Sequence, residues 1–291
     1  MKILKGMSLL ESLRIYMSDN SSSTVCISHI GQRVNHEDNF FINGKYLTFD
    51  LQKQMSDIRK YSLIETSFSK INIYAVSDGM GGHNAGEVAS RICVEKLAIL
   101  EREIQNCFSV RNAVSIIQKG IEDINSTICQ KSCHDHELSG MGATLVICVE
   151  CENKYEILNI GDSRVYYFNG KNLIQVTKDN TEGQRLLDLG LLTRKELRSF
   201  PARKNLTRYI GYNQPGFILQ ADEYHIDLDA GVLLLCSDGI SDRLSDSKIE
   251  NILCVEKNLE HAAERLIDEA VSVPDADNAT VILIPMRGVI L

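Results

Sequence analysis

Four aspartates stand where an apolar run meets a turn. Asp78 lies between "IYAVS" and Gly79, Asp238 between "VLLLCS" and Gly239, Asp277 just ahead of "NATVILI", and Asp38 directly before "NFFI" with Glu37 beside it. A carboxylate at the end of a buried strand is costly to desolvate unless something positive meets it. Taken singly, each reads as a turn in which the acid bonds its own backbone and a glycine supplies positive φ. In "YAVSDGMGGHNAGEVAS" the glycines also suit close backbone approach to a ligand, with a helix opening near Gly86 to add its dipole. Taken together, the four acids describe a cluster of hard oxygen ligands, which selects magnesium or manganese over zinc or copper. No histidine accompanies them in a zinc-like spacing such as H-E-x-x-H. Arg33, in "GQRVNHEDNF", is the cation close in sequence to the first acids. Its planar guanidinium suits bidentate contact with phosphate, so an Arg beside a two-metal carboxylate site points to a phosphate ester substrate. The competing assignment, a surface pair with Glu37 at helical spacing, needs a helix that the extended, aromatic sequence after it argues against.

The elements that must hold these acids are mostly strands. "TVCISHI", "NFFING" and "INIYAVS" read as strands, with the polar stretch 50–70 as an inserted loop. Residues 85–130 carry apolar positions at helical spacing and predict two helices joined near Asn106. "ATLVICVE", "KYEILNIG", "RVYYF" and "NLIQV" follow, with Asn169-Gly170 as a hairpin signal. Residues 179–210 are charged and helical, a flap over a site. Strands at "GFILQADEYHID" and "GVLLLCSD", two helices at about 246–272 and a last strand at "ATVILIP" complete the chain. Strands, helices, strands, helices is not the βαβα order of a parallel sheet, so antiparallel sheets packed between helical layers are expected, an α+β sandwich.

Composition narrows the class. The chain has 291 residues, 44% hydrophobic and 24% charged, with a formal net charge of -8, so there is no overall basic field for nucleic acid or an anionic membrane. The nine cysteines are scattered, mostly inside apolar runs. Cys129/Cys133 and Cys148/Cys151 have spacings that could serve a metal, but buried free thiols in a reducing cytoplasm are the favoured reading. The N-terminal apolar stretch is broken by Glu11 and Arg14, which makes a poor signal peptide, and no run approaches the ~20 apolar residues of a membrane span. Leu9, Leu10, Leu13 and Tyr16 predict an amphipathic helix ahead of a short polar linker at 19–23.

"GQRVNHEDNF", "AVSDGMGGHNAGEVA", "SGMGATLV", "LNIGDSRVYYFNG", "NLTRYIG", "LLLCSDGISDRL" and "DNATVILI" occur in the order, and nearly the spelling, of the motifs of metal-dependent protein phosphatases of the 2C type (the PPM family). The chain resembles the bacterial branch of that family most closely, from about residue 24 to 286. The resemblance implies a four-layer α/β/β/α sandwich in residues 24–288, after an extension at 1–23 and with the flap at about 179–210. It implies two Mn2+ or Mg2+ ions at one end of the sandwich. Asp78 would bridge both ions, Gly79 would lend its carbonyl, Asp238 and Asp277 would complete the set, Glu37 and Asp38 would act mainly through bound waters, and Arg33 would hold the phosphoryl oxygens. Two cations ~3.5–4 Å apart acidify a bridging water for in-line attack, so phosphoserine or phosphothreonine would be hydrolysed without a phosphoenzyme.

Further expectations come from the same resemblance. A third metal would use Asp242 and an acid just before the "GMGAT" segment, a position left open here, with Asp135 and Glu137 nearby and Ser139 closer in. Met80 stands where some relatives carry a histidine that protonates the leaving group, and His83 is a weak substitute, which leaves that step to a metal-bound water. Asn180 replaces a frequent histidine near the flap. Phosphorylated proteins, a Ser/Thr kinase acting on the same targets, a monomeric state and a cytoplasmic location complete the picture. The alternative is a catalytically silent phosphoprotein-binding regulator of the same fold, which would be expected to have lost a bridging acid.

Overall fold

A computed structural model describes residues 23–66, 69–81, 85–197, 199–214, 216–227 and 230–286, so the helix read at 9–16 and His83 lie outside it. The strands are β1 (Thr24–His29), β2 (Asp38–Ile42), β3 (Lys60–Glu65), β4 (Ile71–Met80), β5 (Gly142–Ala143), β6 (Leu145–Cys151), β7 (Lys154–Ile160), β8 (Arg164–Phe168), β9 (Leu173–Gln175), β10 (Asp222–Ile226), β11 (Gly231–Cys236) and β12 (Ala279–Met286). They form two antiparallel sheets, ordered β3-β1-β12-β11-β8-β9 and β10-β7-β6-β4-β2, with β5 paired to the end of β4. Every residue of β2, β6, β11 and β12 is buried, which explains why β6, β11 and β12 read as mostly apolar runs rather than alternating ones.

The helices are α1 (Phe49–Ile58), α2 (Ala85–Ile104), α3 (Val110–His134), α4 (Glu182–Asp188), α5 (Arg194–Leu197), α6 (Asp238–Ser241), α7 (Asp246–Val255) and α8 (Leu259–Val271). Three apolar clusters define the layers. One joins α2 and α3 to the β4/β6 sheet, one joins α7 and α8 to the β11/β12 sheet, and the third, with Phe40, Tyr74, Tyr155 and Leu235, lies between the sheets. This is the expected four-layer α/β/β/α sandwich. The break between α2 and α3 also falls as expected, with Asn106 in the turn and Ser109 capping α3 by accepting from the Asn112 N–H.

The stretch 50–70 departs from expectation. It is not a loop but α1 followed by β3. Thr48 caps α1 by accepting from the Leu51 N–H, Gln52 and Met55 bury one face, and Arg59 at φ +61 ends the helix with its N–H on the Met55 carbonyl. β3 then pairs with β1 from Glu65 to Lys60 as an edge strand. The polarity that resembled a loop is the solvent face of a helix and of a sheet edge, where charge blunts unwanted pairing. The strand expected across 216–227 shortens to β10, because Gly216 at φ +78 and a turn closed by the Phe217 N–H on the Gln214 carbonyl occupy its first part. The Asn169-Gly170 hairpin forms as read, with the Asn169 Oδ1 accepting from the N–H groups of Lys171 and Asn172.

Met55, fully buried among the residues between the sheets, tests whether α1 is integral. Met55→Ala is expected to destabilise the fold by about 3 kcal/mol, the range for emptying a core methionine site, read as a lowered midpoint in urea; a change near zero would mean the segment is a loosely attached insertion.

Candidate active site

The register of β2 on β4 sets Asp38 directly opposite Asp78. Directly paired residues of an antiparallel ladder project to one face, where like charges repel. β11 and β12 end beside them in the other sheet, with Cys236 opposite Val281, so Asp238 leaves the first strand and Asp277 enters the second at one end of the sandwich. The two sheets are tied at this point by Asp38, whose fully buried Oδ2 accepts from the hydroxyls of Ser237 and Thr280, each at 2.7 Å. Its Oδ1 is buried and has no hydrogen-bond partner among the described residues.

Backbone bonds hold Asp78 in place. Its N–H donates to Thr144 Oγ1 at 2.9 Å, its carbonyl accepts from the Thr144 N–H at 2.8 Å, and Thr144 Oγ1 bonds Ser163 Oγ at 2.7 Å. Gly79 donates to the Glu37 carbonyl, and a Cβ there would lie 2.0 Å from the Gly86 carbonyl oxygen. Gly86, in the first turn of α2, leaves room for the Glu37 carboxylate, which a Cβ would meet at 2.6–2.9 Å. Asn278 fixes the segment before β2, accepting from the Glu37 N–H and donating to the carbonyls of Ile30 and Asn35. The glycines therefore serve close packing of three segments.

Burial, then mutual repulsion, controls the protonation of these acids. Burial raises Asp78 well above the ordinary carboxylate range, and Asp38, Asp238, Asp162 and Asp277 add to it. Asp38 rises to about 7 through burial, opposed by the Thr280 and Ser237 hydroxyls. Glu37 also reaches about 7, from burial and then Glu87 and Asp277, with Arg33 opposing.

Two cations answer part of this charge. Arg33 pairs with Asp277 at 2.6 Å, across 244 residues of chain and not with Glu37. Lys204, from the segment expected as the flap, pairs with Asp242 and stands 3.6 Å from Asp238. Among the described residues, no three carboxylate, imidazole or thiolate groups stand at chelating distance; Asp277, Asp238 and Asp242 face these side-chain cations instead. The donor set is nevertheless all oxygen, and Asp38 offers an unpartnered buried carboxylate atom, so the residues fit a hard divalent cation.

Asp162 was not singled out as a site residue in the sequence, although it follows the same rule of an apolar strand, then Gly-Asp-Ser. It is raised to about 7 by burial and then by Asp238 and Asp179. Nearby, Arg164 holds Asp179 through two bonds of 2.8 and 2.6 Å. Asp135 and Glu137 belong to an exposed turn in which the Glu137 N–H donates to the Asp135 carboxylate. Asn180 anchors the start of the flap segment, bonding the Gly161 N–H and Asp222.

An arginine and clustered acids thus stand together at one end of an α/β/β/α sandwich. The family model described as protein phosphatase 2C matches residues 64–271. The serine/threonine phosphatase Stp of Listeria monocytogenes is 32% identical over 213 residues, 73% of this chain and 83% of that protein. Protein phosphatase PhpP of Streptococcus pneumoniae is 32% identical over 220 residues, 73% of this chain and 85% of that protein. The crystal structure of Stp1 from Staphylococcus aureus matches with a TM-score of 0.76 at 28% identity, covering 91% of this chain and 95% of that one. The catalytic domain of PstP in complex with two manganese ions matches with a TM-score of 0.68 at 28% identity, covering 90% and 97%. The chain belongs to the protein phosphatase 2C family. It is a metal-dependent protein phosphatase, with phosphorylated proteins as substrates.

The acids also set a pH dependence. Asp38, Asp162 and Glu37 have folded-state values raised to about 7 from 3.8, 3.8 and 4.5, so the folded state binds more protons than the unfolded one across that interval. Their contribution to stability is complete below the lower values and is lost as pH rises to the upper. In chelator the Tm is expected to fall between about pH 5 and 7.5, and manganese to restore it at the upper end. A Tm in chelator that is flat or rising over this range would show the acids are not held as described.

Proposed function

We propose that this chain hydrolyses phosphoserine and phosphothreonine in proteins, with Asp78, Asp238 and Asp277, the Gly79 carbonyl, and Glu37 and Asp38 through waters, holding two Mn2+ or Mg2+ ions. The observation that carries this reading is the Asp38–Asp78 pairing, with one Asp38 oxygen unpartnered and Arg33 at the rim. When bound, such cations offset charge on phosphoryl oxygens and acidify water. The chain's own groups do the rest. Ser237 and Thr280 fix one Asp38 oxygen and leave the other for the ions. Arg33, with its side chain 56% exposed, exchanges Asp277 for phosphoryl oxygens, which its forked donors match. Thr144 and Asn278 hold the backbones of Asp78 and Glu37 so that neither carboxylate has to find its place when substrate arrives.

A third ion would use Asp242, with Asp162 a better second acid than Asp135 or Glu137, since Asp162 lines one cavity with Asp238 and Asp242 while the other two lie in an exposed turn. Residues 24–288 form the phosphatase unit and 179–210 its flap, a reading supported by Lys204 reaching two of the site's acids. A Ser/Thr kinase sharing its targets, a monomeric state and the absence of nucleic-acid or membrane partners belong to the same proposal. A cytoplasmic location is supported by nine free cysteines; no helix among the described residues is long and apolar enough to cross a membrane.

Manganese-dependent phosphate release from a phosphothreonine peptide is expected, and Asp78→Asn is expected to lower it by at least about a hundredfold without unfolding the chain. No turnover by the parent chain in any divalent metal would leave the silent, phosphoprotein-binding alternative. Lys204 competes for Asp238 and Asp242, so Lys204→Ala is expected to tighten manganese binding about threefold by calorimetry, the size of a partly exposed ion pair. Unchanged affinity would mean the lysine is no competitor.

A further inference from the structure

Beside the site lies a cavity of about 210 Å³ walled by residues 34–36, by Phe49 and Lys53 of α1, and by Glu87 and Arg91 of α2. Three of these residues follow Arg33 directly in the chain, and Glu87 follows Gly86, against which the Glu37 carboxylate packs. The opposite wall is α1, the helix formed where a loop was expected. The cavity therefore borders the segment that carries Arg33 and the first turn of α2 beside Glu37, and α1, which carries none of the metal-binding acids, forms its other wall.

We propose that this cavity is a specificity subsite for an acidic side chain flanking the phosphoresidue of a protein substrate. Phe49 is 48% exposed and carries two cations, with Lys53 Nζ 4.2 Å and the Arg91 guanidinium carbon 4.9 Å from its ring centroid. Such stacking holds the cations at the mouth while leaving their outer hydrogen-bond donors available. Arg91 is steadied from below by Gln52 and from the side by Glu95 at 3.6 Å. Lys53 is exposed, and its charge, after that of Arg91, opposes the rise that burial imposes on Glu87 in the cavity wall. Glu87 and Glu95 answer these charges on the protein side, so it is the outward-facing donors of Lys53 and Arg91 at the mouth that an anion would meet.

The wall defines how deep that anion sits. Glu87 Oε2 and His36 Nδ1 are buried with no hydrogen-bond partner among the described residues. The Glu87 carboxylate repels an acid from the floor and keeps it at the rim between Lys53 and Arg91, where Val34, 85% exposed, covers the aliphatic stem. An extended peptide advances about 3.3 Å per residue, so the acidic position is sought within two residues on either side of the phosphoresidue.

This inference rests on the phosphatase reading, and the test separates the two. The probes are p-nitrophenyl phosphate and phosphothreonine peptides differing only in Glu, Ala or Lys at the two positions on either side. In manganese the parent protein is expected to show roughly fivefold higher kcat/KM for the best-placed Glu peptide than for its Lys counterpart, shrinking with salt. Lys53→Glu is expected to erase or invert that order while p-nitrophenyl phosphate turnover stays within about twofold, since Lys53 is exposed and outside the metal-binding acids. Lys53→Ala, which keeps helix propensity high, should flatten the order. Turnover of both probe types with no peptide preference, or an order unchanged by Lys53→Glu, overturns the subsite alone. No turnover of either probe type overturns the phosphatase reading and the subsite with it.

Discussion

The opposition of Asp38 and Asp78 across the β2–β4 ladder is the constraint around which the rest of the structure is arranged. Two carboxylates on one face of one cross-strand pair destabilise a sheet, and burial makes the conflict worse by removing the water that would screen them. β2 is enclosed along its whole length, so Asp38 cannot be relieved by letting its end of the sheet move into solvent. Its relief has to come from groups brought from elsewhere in the chain. That requirement explains why one end of the sandwich is crowded with hydroxyls, amides and cations while the interior between the sheets is almost wholly apolar.

Those groups arrive from both sheets. Ser237 directly follows β11 and Thr280 lies in β12, and both donate to Asp38, which belongs to the facing sheet. A bond network of this kind does two things at once. It lowers the cost of one buried oxygen and fixes how the sheets meet, since a shift of either would strand a desolvated carboxylate. Yet only one oxygen is satisfied, and the second is kept poor in partners. A buried oxygen without a partner costs stability, and under the proposed function that cost is offset by what a cation at this end of the sandwich would supply.

Much of this was legible before any coordinates. The apolar runs were long enough and separated clearly enough to place nearly all the strands, and the strand-end position of each acid followed from the same boundaries. Asp162 escaped because a single acid in a Gly-Asp-Ser turn has an adequate local explanation, and only its burial against Asp238 gives it another. The error at 50–70 had a different origin. α1 buries Gln52 and Met55 but few other side chains, and β3 is an edge strand with alternating exposure, so neither carries the apolar density that marks an interior element. Lys204 could not have been tied to Asp238 and Asp242 by pattern at all, because a lysine in a charged stretch carries no information about which acid it will meet.

The partners of the acids divide into permanent and exchangeable kinds, and the division follows exposure. The hydroxyl bonds to Asp38 are buried, so breaking either would leave a polar atom without a substitute for water, at about 1–3 kcal/mol. The Arg33–Asp277 and Lys204–Asp242 pairs are substantially exposed, and ion pairs of that kind are worth about 0–1 kcal/mol because solvent competes on equal terms. A site that must take up cations and a phosphoryl group, then release product, needs both kinds. Permanent partners keep the backbone and one face of the central acid in register. Exchangeable ones cover the remaining charge with side chains that a divalent ion or a phosphate can displace at small cost. Arg33 suits this use because the same forked guanidinium that pairs with a carboxylate pairs equally well with phosphoryl oxygens, so displacement from one partner is immediately offset by the other.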